Sequence, residues 1–197
     1  MLRIDETSGT LVAPQAGGLV TETNPDRDEL LALVGASWEA FAQELGLPSL
    51  RLVAREPAPG VDLLAFDEQS GRAVVLHVTG DTIEWQLGRA LAAAAEVAGW
   101  DAAQLASVSD ALEAVVPGDS PQLVLVAGGY DASALATAEW LSRRHGLDVS
   151  SFVVSVLRFG NERLLSVHRE GQAPDPAAQV QWMLSGSSTP PPGLTDR

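Results

Sequence analysis

The chain has 197 residues, 46% of them apolar, with a mean hydropathy near zero, which excludes a disordered polar chain and gives enough length to bury one sizeable core. It has no cysteine, so disulfides, thiolate nucleophiles and zinc–thiolate centres are excluded. The net charge of −14 comes from 26 acidic residues against 12 basic ones, all of them arginine, and it opposes the phosphate neutralisation on which nucleic-acid affinity rests.

Residues 2–13 read as a hairpin. Leu2-Arg3-Ile4 and Thr10-Leu11-Val12 flank a turn containing Gly9. Residues 14–25 are rich in Pro, Gly and Thr and read as a loop. Asp26 is a candidate N-cap. Leu30, Leu31, Val34, Trp38, Phe41 and Leu45 follow at helical spacing, so one amphipathic helix is expected over 27–45, ended by Gly46-Leu47-Pro48.

Leu50–Glu56 reads as a strand, followed by a turn at Pro57–Gly60. Gly60-Val61-Asp62-Leu63-Leu64-Ala65-Phe66-Asp67 and Arg72-Ala73-Val74-Val75-Leu76-His77-Val78-Thr79-Gly80-Asp81 then read as a β-hairpin turning at Gly71. Helices are expected over 82–98, with the alanine run Ala92–Ala95, and over 101–115. Gln122–Ala127 is a continuous apolar strand. Gly128-Gly129-Tyr130 turns the chain into a helix capped by Asp131 and running to His145. The last strands are expected at 149–157 and 164–168. The chain therefore divides into a hairpin (1–13), an α/β domain (14–170) and a Pro/Ser-rich tail (171–197). The tail is expected to be mostly mobile, with a short helical stretch at 177–184 carrying Trp182.

Alternate strand residues share a face. Val75, His77 and Thr79 point one way, and Val74, Leu76 and Val78 the other. The antiparallel partner strand sets Asp62, Leu64 and Phe66 opposite the His77 face. A carboxylate and an imidazole on adjacent strands can ligate a divalent cation, although imidazole favours softer metals than magnesium. The structural alternatives are a strand-entry aspartate, a half-buried histidine and a β-branched strand-end residue at Thr79.

These two strands carry a resemblance. They are similar to the PD-(D/E)XK nuclease superfamily, and most of all to its NucS-like branch, whose strands run "G-[RV]-[ID]-D-L-L-A-x-D" and then "V-V-[IL]-E-x-K". The opening "L-R-I-D-E-x-x-G-x-L", the strand Pro121–Ala127, the segment Asp131–Ser142 and Gly146-Leu147-Asp148-Val149 are similar as well. The likeness spans most of residues 1–169. It implies a restriction-endonuclease-like α+β fold, an αβββαβ core with a mixed sheet flanked by helices. It also implies a site in which Asp62 is a metal ligand and catalytic residue. The Glu-x-Lys positions hold His77 and Thr79, and a chain without lysine cannot supply that lysine from elsewhere. The family's first helix carries a metal-facing Glu, for which Glu29, Glu39 and Glu44 are candidates. Its following helix carries a Gln, matched by Gln86 or Arg89, and a Tyr, at whose position Ala93 stands.

The expected reading is a nuclease-like protein that no longer cuts, with Asp62 and His77 vestigial, no cofactor, and work done through protein contacts or self-association. Two alternatives stand beside it. One is an active endonuclease rebuilt around Asp62 with magnesium or manganese, and the other a DNA-binding protein that does not cut. Arg89, Arg143 and Arg144 are possible surface contacts, though cations in the last turn of a helix also suit its dipole. Gly128-Gly129 could cradle a phosphate but lacks the spacing of a phosphate-binding loop. His77, His145 and His168 have no metal-pair spacing. Trp38, Trp85, Trp100, Trp140 and Trp182 are core residues or exposed anchors. Without an apolar run of about 20 residues or a signal-peptide pattern, a cytoplasmic, non-membrane protein is expected.

Overall fold

The computed structural model describes residues 2–5, 10–12, 19–21, 24–84, 86–159 and 162–170. The tail at 171–197, with Trp182, lies outside the described residues, as does Trp85.

The expected α+β architecture is present. Strands β1 (Leu2–Asp5), β2 (Thr10–Val12) and β3 (Leu19–Thr21) precede helices α1 (Arg27–Ala36) and α2 (Trp38–Glu44). Strands β4 (Leu50–Arg55), β5 (Leu63–Asp67), β6 (Arg72–Val78) and β7 (Thr82–Ile83) lead to helices α3 (Leu87–Ala98) and α4 (Ala102–Val108). Then come β8 (Gln122–Ala127), β9 (Gly129–Tyr130), α5 (Ala132–His145), β10 (Val149–Phe159) and β11 (Glu162–Arg169). The main sheet runs β2-β1-β11-β10-β8-β6-β5-β4, and β3 pairs with β10. β6, β8 and β10 are parallel, and all other pairings in this sheet are antiparallel. A parallel neighbour needs a crossover. The chain from β6 to β8 passes through α3 and α4, and from β8 to β10 through α5.

The alternation in β6 sorts the core. Val74, Leu76 and Val78 pack with Leu30, Leu31, Val34 and Phe41 of α1 and α2. Val75 packs on the other face with Leu87, Ala90, Ala93 and Ala94 of α3. Helices thus cover both faces of the sheet, which explains the nearly continuous apolar runs of β6 and β8.

The caps form as expected. The Asp26 carboxylate accepts from the Glu29 N–H at 2.9 Å, and Asp131 accepts from the Ala134 N–H at 2.6 Å. Gly146 ends α5 in the left-handed region at φ +66°.

Four boundaries differ from the sequence reading. The expected helix over 27–45 is two helices broken at Ser37. Ser37 leaves the helical region there at φ −132° and ψ 38°. The expected helix start at Thr82 moves to Leu87, because Thr82–Ile83 pairs with Gly129–Tyr130. The stretch 101–115 is α4 and then a 3₁₀ turn over Asp110–Ala114, parted where the Ser109 hydroxyl accepts from the Ala111 N–H. The loop expected over 14–25 contains β3. The late start of α3 and the strand β3 come from pairing partners distant in sequence, whereas the split at Ser109 is local.

The carboxyl ends of β6 and β8 are closed by backbone. A Cβ on Gly80 would fall 1.9 Å from the Pro25 carbonyl oxygen, and one on Gly128 would fall 2.0 Å from the Gly80 carbonyl oxygen. Asn24 stitches the layer, donating from Nδ2 to the Gly80 and Val154 carbonyls at 3.2 Å and accepting from the Val156 N–H at 2.9 Å. Gly128→Ala should therefore lower unfolding stability by about 1–3 kcal/mol or more. Gly88→Ala, where a Cβ meets nothing within 4 Å, should be neutral or stabilising by up to about 1 kcal/mol. Urea denaturation of the two variants checks this contrast.

Candidate functional site

Asp62 stands one residue before β5, and its backbone is held by the Glu56 N–H donating to the Asp62 carbonyl at 2.9 Å. The register Leu63↔Leu76 and Leu64↔Val75 brings Asp62 alongside His77. Both residues are buried, Asp62 1% and His77 5% exposed.

Three directed hydrogen bonds and one close imidazole surround the Asp62 carboxylate. Oδ1 accepts from Arg27 Nε at 3.1 Å and Nη2 at 2.5 Å. Oδ2 accepts from the Val78 N–H at 2.8 Å, and His77 Nδ1 approaches it at 2.8 Å. The His77 contact is close but not directed, because Nδ1 makes no aligned hydrogen bond. A carboxylate offers about four acceptor sites, and three of those on Asp62 already take directed donors.

Arg27 is the residue that sequence reasoning missed. It is the first residue of α1, and its guanidinium gathers three carboxylates. Nη1 donates to Asp28 Oδ1 at 2.9 Å and Nη2 to Glu56 Oε1 at 2.8 Å, in addition to the Asp62 contacts. Its five fixed donors suit such a cluster. Nothing in the local sequence distinguishes it from a first-turn arginine; only the packing of α1 over the carboxyl end of β6 brings it to Asp62. Glu56 sits at φ +47°, in the left-handed region that a non-glycine residue rarely adopts.

The electrostatics follow the contacts. Burial alone would raise the Asp62 pKa, but His77, the Val78 N–H and Arg27 outweigh it, and the carboxyl is held below its ordinary value. Burial lowers the Arg27 pKa, and the Asp62 and Glu56 contacts more than reverse it.

The other expected residues are dispersed. The Thr79 hydroxyl is turned onto its own turn, accepting from the Asp81 N–H at 3.2 Å. Glu29 pairs with Arg163 at 3.3 Å, and Glu39 is exposed. Glu44 lies in the last turn of α2. Gln86 immediately precedes α3, with its Oε1 buried and without a hydrogen bond. Arg89 is exposed and Ala93 is in the core. Among the described residues, no group of three or more His, Asp or Glu side chains is placed to hold a metal ion. The Gly128 N–H donates to the Asp81 carbonyl at 2.9 Å, so the glycine pair serves a strand pairing. Arg143 pairs with Glu139 one helical turn earlier at 2.6 Å, while Arg144 and His145 are exposed. Trp38 and Trp100 are buried and Trp140 is 54% exposed. No helix among the described residues is long and apolar enough to cross a membrane.

No family model matches the sequence, and no curated protein matches it. Among solved structures, a chain of an EndoMS–dsDNA complex is similar over 72% of this chain at 22% identity, with a TM-score of 0.31. The match covers 49% of that chain, about half its length. A likeness this weak carries no argument about chemistry, and the site must be judged on its own geometry.

Removing Arg27 would leave Asp62 buried without its guanidinium. Breaking a buried pair costs about 3–5 kcal/mol, but Arg27 keeps 35% of its side chain in water, so screening reduces the figure. Arg27→Ala should therefore cost about 2 kcal/mol by chemical denaturation at neutral pH, and adding Asp62→Asn should recover part of it. The pH dependence has a fixed sign. A carboxyl whose folded pKa is depressed stabilises the fold above its unfolded pKa of about 3.9, and that contribution is lost as pH falls through the lower folded value. The stability difference between the wild type and Asp62→Asn should be flat from neutral pH to about pH 5 and shrink below about pH 4.

Proposed function

We propose that this protein is a nuclease-like module that does not cut and works by binding other proteins or copies of itself. The observation that carries the reading is the occupancy of Asp62. Its carboxylate is shared among Arg27, the Val78 N–H and His77, so the position where a metal would be held contains the protein's own cation. Hydrolysis of a phosphodiester by a metal-dependent site requires an open coordination position at the ion. Here a fixed guanidinium neutralises the carboxylate but cannot lower the pKa of a bound water or bind an attacking hydroxide. The motif resemblance of the two hairpin strands and the αβββαβ order of the elements support the nuclease-like part of the reading. The net charge of −14 supports protein partners over DNA. Trp140 at 54% and Val116 at 60% exposure offer apolar anchors of the kind found at interfaces.

The test is incubation of the full chain with single-stranded, branched and duplex DNA in magnesium and then manganese. No cleavage is expected above that of the Asp62→Ala variant. Metal-dependent cleavage that Asp62→Ala abolishes would overturn the reading in favour of a rebuilt endonuclease. A gel shift at low salt that weakens with added salt, without cleavage, would replace it with the DNA-binding alternative. Self-association should appear as a rise in mass with concentration by light scattering.

A further inference from the structure

α5 turns its buried Ala134 and Ala138 inward, and its opposite face looks outward. Ala132, Ala136 and Trp140 follow one another on that face at every fourth residue, with Ser133 and Thr137 beside them, and all five are exposed. No charged side chain stands among them, on a chain of net charge −14. The two hydroxyls are turned onto the helix itself. Thr137 donates to the Ser133 carbonyl at 2.7 Å, and Ser133 donates to the Asp131 carboxylate at 3.0 Å. Covering this face therefore strands no side-chain donor, which keeps the cost of desolvating it low.

Trp140 is the large member of the face, 54% exposed where Trp38 and Trp100 are buried. Its ring meets His145 edge-on, with centroids 4.4 Å apart at 61°, so it has little freedom left to lose when a partner covers it. Tryptophan is also among the residues that carry most binding energy at interfaces. The change of size along the face makes it complementary to itself. Set antiparallel about a twofold axis near Ala136, two copies of α5 place each Trp140 against the other copy's Ala132. The small Ala136 side chains then meet at the axis, where the helices can approach closely. The same arrangement brings the last-turn cations Arg143 and Arg144 of one copy beside Asp131 at the first turn of the other, and sets the two helix dipoles antiparallel. Like charge opposes self-association of so acidic a chain, and an uncharged face with a cationic end avoids that repulsion.

We propose that the outward face of α5 is the contact between two copies of this chain, packed antiparallel across a twofold axis near Ala136. The contact rests on the reading of the protein as a binding module and names the partner as a second copy. One 14-residue helix from each copy, about 21 Å long, covers less than the roughly 1,200–2,000 Å² of a standard interface. The dimer is therefore weak and depends on concentration.

The absence of cysteine gives a clean test in the full-length chain. Ala136→Cys, beside its own symmetry mate at the axis, should form a disulfide between chains on mild oxidation. Its rate should exceed by about tenfold that of Arg89→Cys, an exposed control on α3. Trp140→Ala should slow the Ala136→Cys cross-link and, in the chain without cysteine, raise the dissociation constant of the dimer about tenfold or more by analytical ultracentrifugation. Circular dichroism should show all variants folded. Equal cross-linking rates at positions 136 and 89, no effect of Trp140→Ala, or a chain that sediments as a monomer at every concentration would overturn the α5 contact. None of these results touches the non-cutting reading, which is judged by the DNA cleavage and gel-shift measurements.

Discussion

A buried carboxylate has to be neutralised where it lies, and in this protein that requirement ties three parts of the chain together. Asp62 precedes β5, Arg27 opens α1, and Val78 and His77 end β6. The carboxylate joins them because it is buried away from bulk solvent, and an unpaired charge at that depth would cost several kcal/mol. Arg27 in turn holds Glu56 and Asp28, which fixes the N-terminus of α1 and the end of β4 to the same point. The helix layer on one face of the sheet is thus anchored at one end by charge and along its length by Leu30, Leu31, Val34 and Phe41.

The same interaction decides what the site can do. Two adjacent strands ending in a carboxylate and an imidazole could hold a cation. A guanidinium already fills that role, with donors on the carboxylate at hydrogen-bond distances. It supplies charge to the buried carboxylate and ties α1 to the strand ends. The neighbouring crevice at the carboxyl ends of β6 and β8, where open sheets with parallel strands commonly hold ligands, is closed by Asn24, Pro25, Gly80 and Gly128.

The elements were legible where a local signal set them. The apolar runs of β6 and β8, the caps at Asp26 and Asp131 and the turn at Gly71 follow from patterns within a few residues. Two of the misread boundaries lie where a distant partner decides. Thr82–Ile83 is a strand because β9 lies beside it, and β3 pairs with the part of β10 that extends past β8. In the site, the side-chain period of two and the hairpin register implied the approach of Asp62 and His77. Arg27 could not be read in the same way, because its role depends on how a helix packs across a sheet.

By itself, the sequence determined the class of architecture, the faces of the strands, the absence of lysine and thiol chemistry, and the nearness of Asp62, just before β5, to His77 on β6. These follow from side-chain periodicity and composition, which are local or global properties of the chain. The tertiary structure alone decided that Arg27 neutralises Asp62, that Thr79 turns to its own backbone, and that the glycine pair at 128–129 serves a strand pairing. Those outcomes depend on which groups, far apart in sequence, compete for one buried carboxylate or one crowded strand end, and only the packed chain sets that competition.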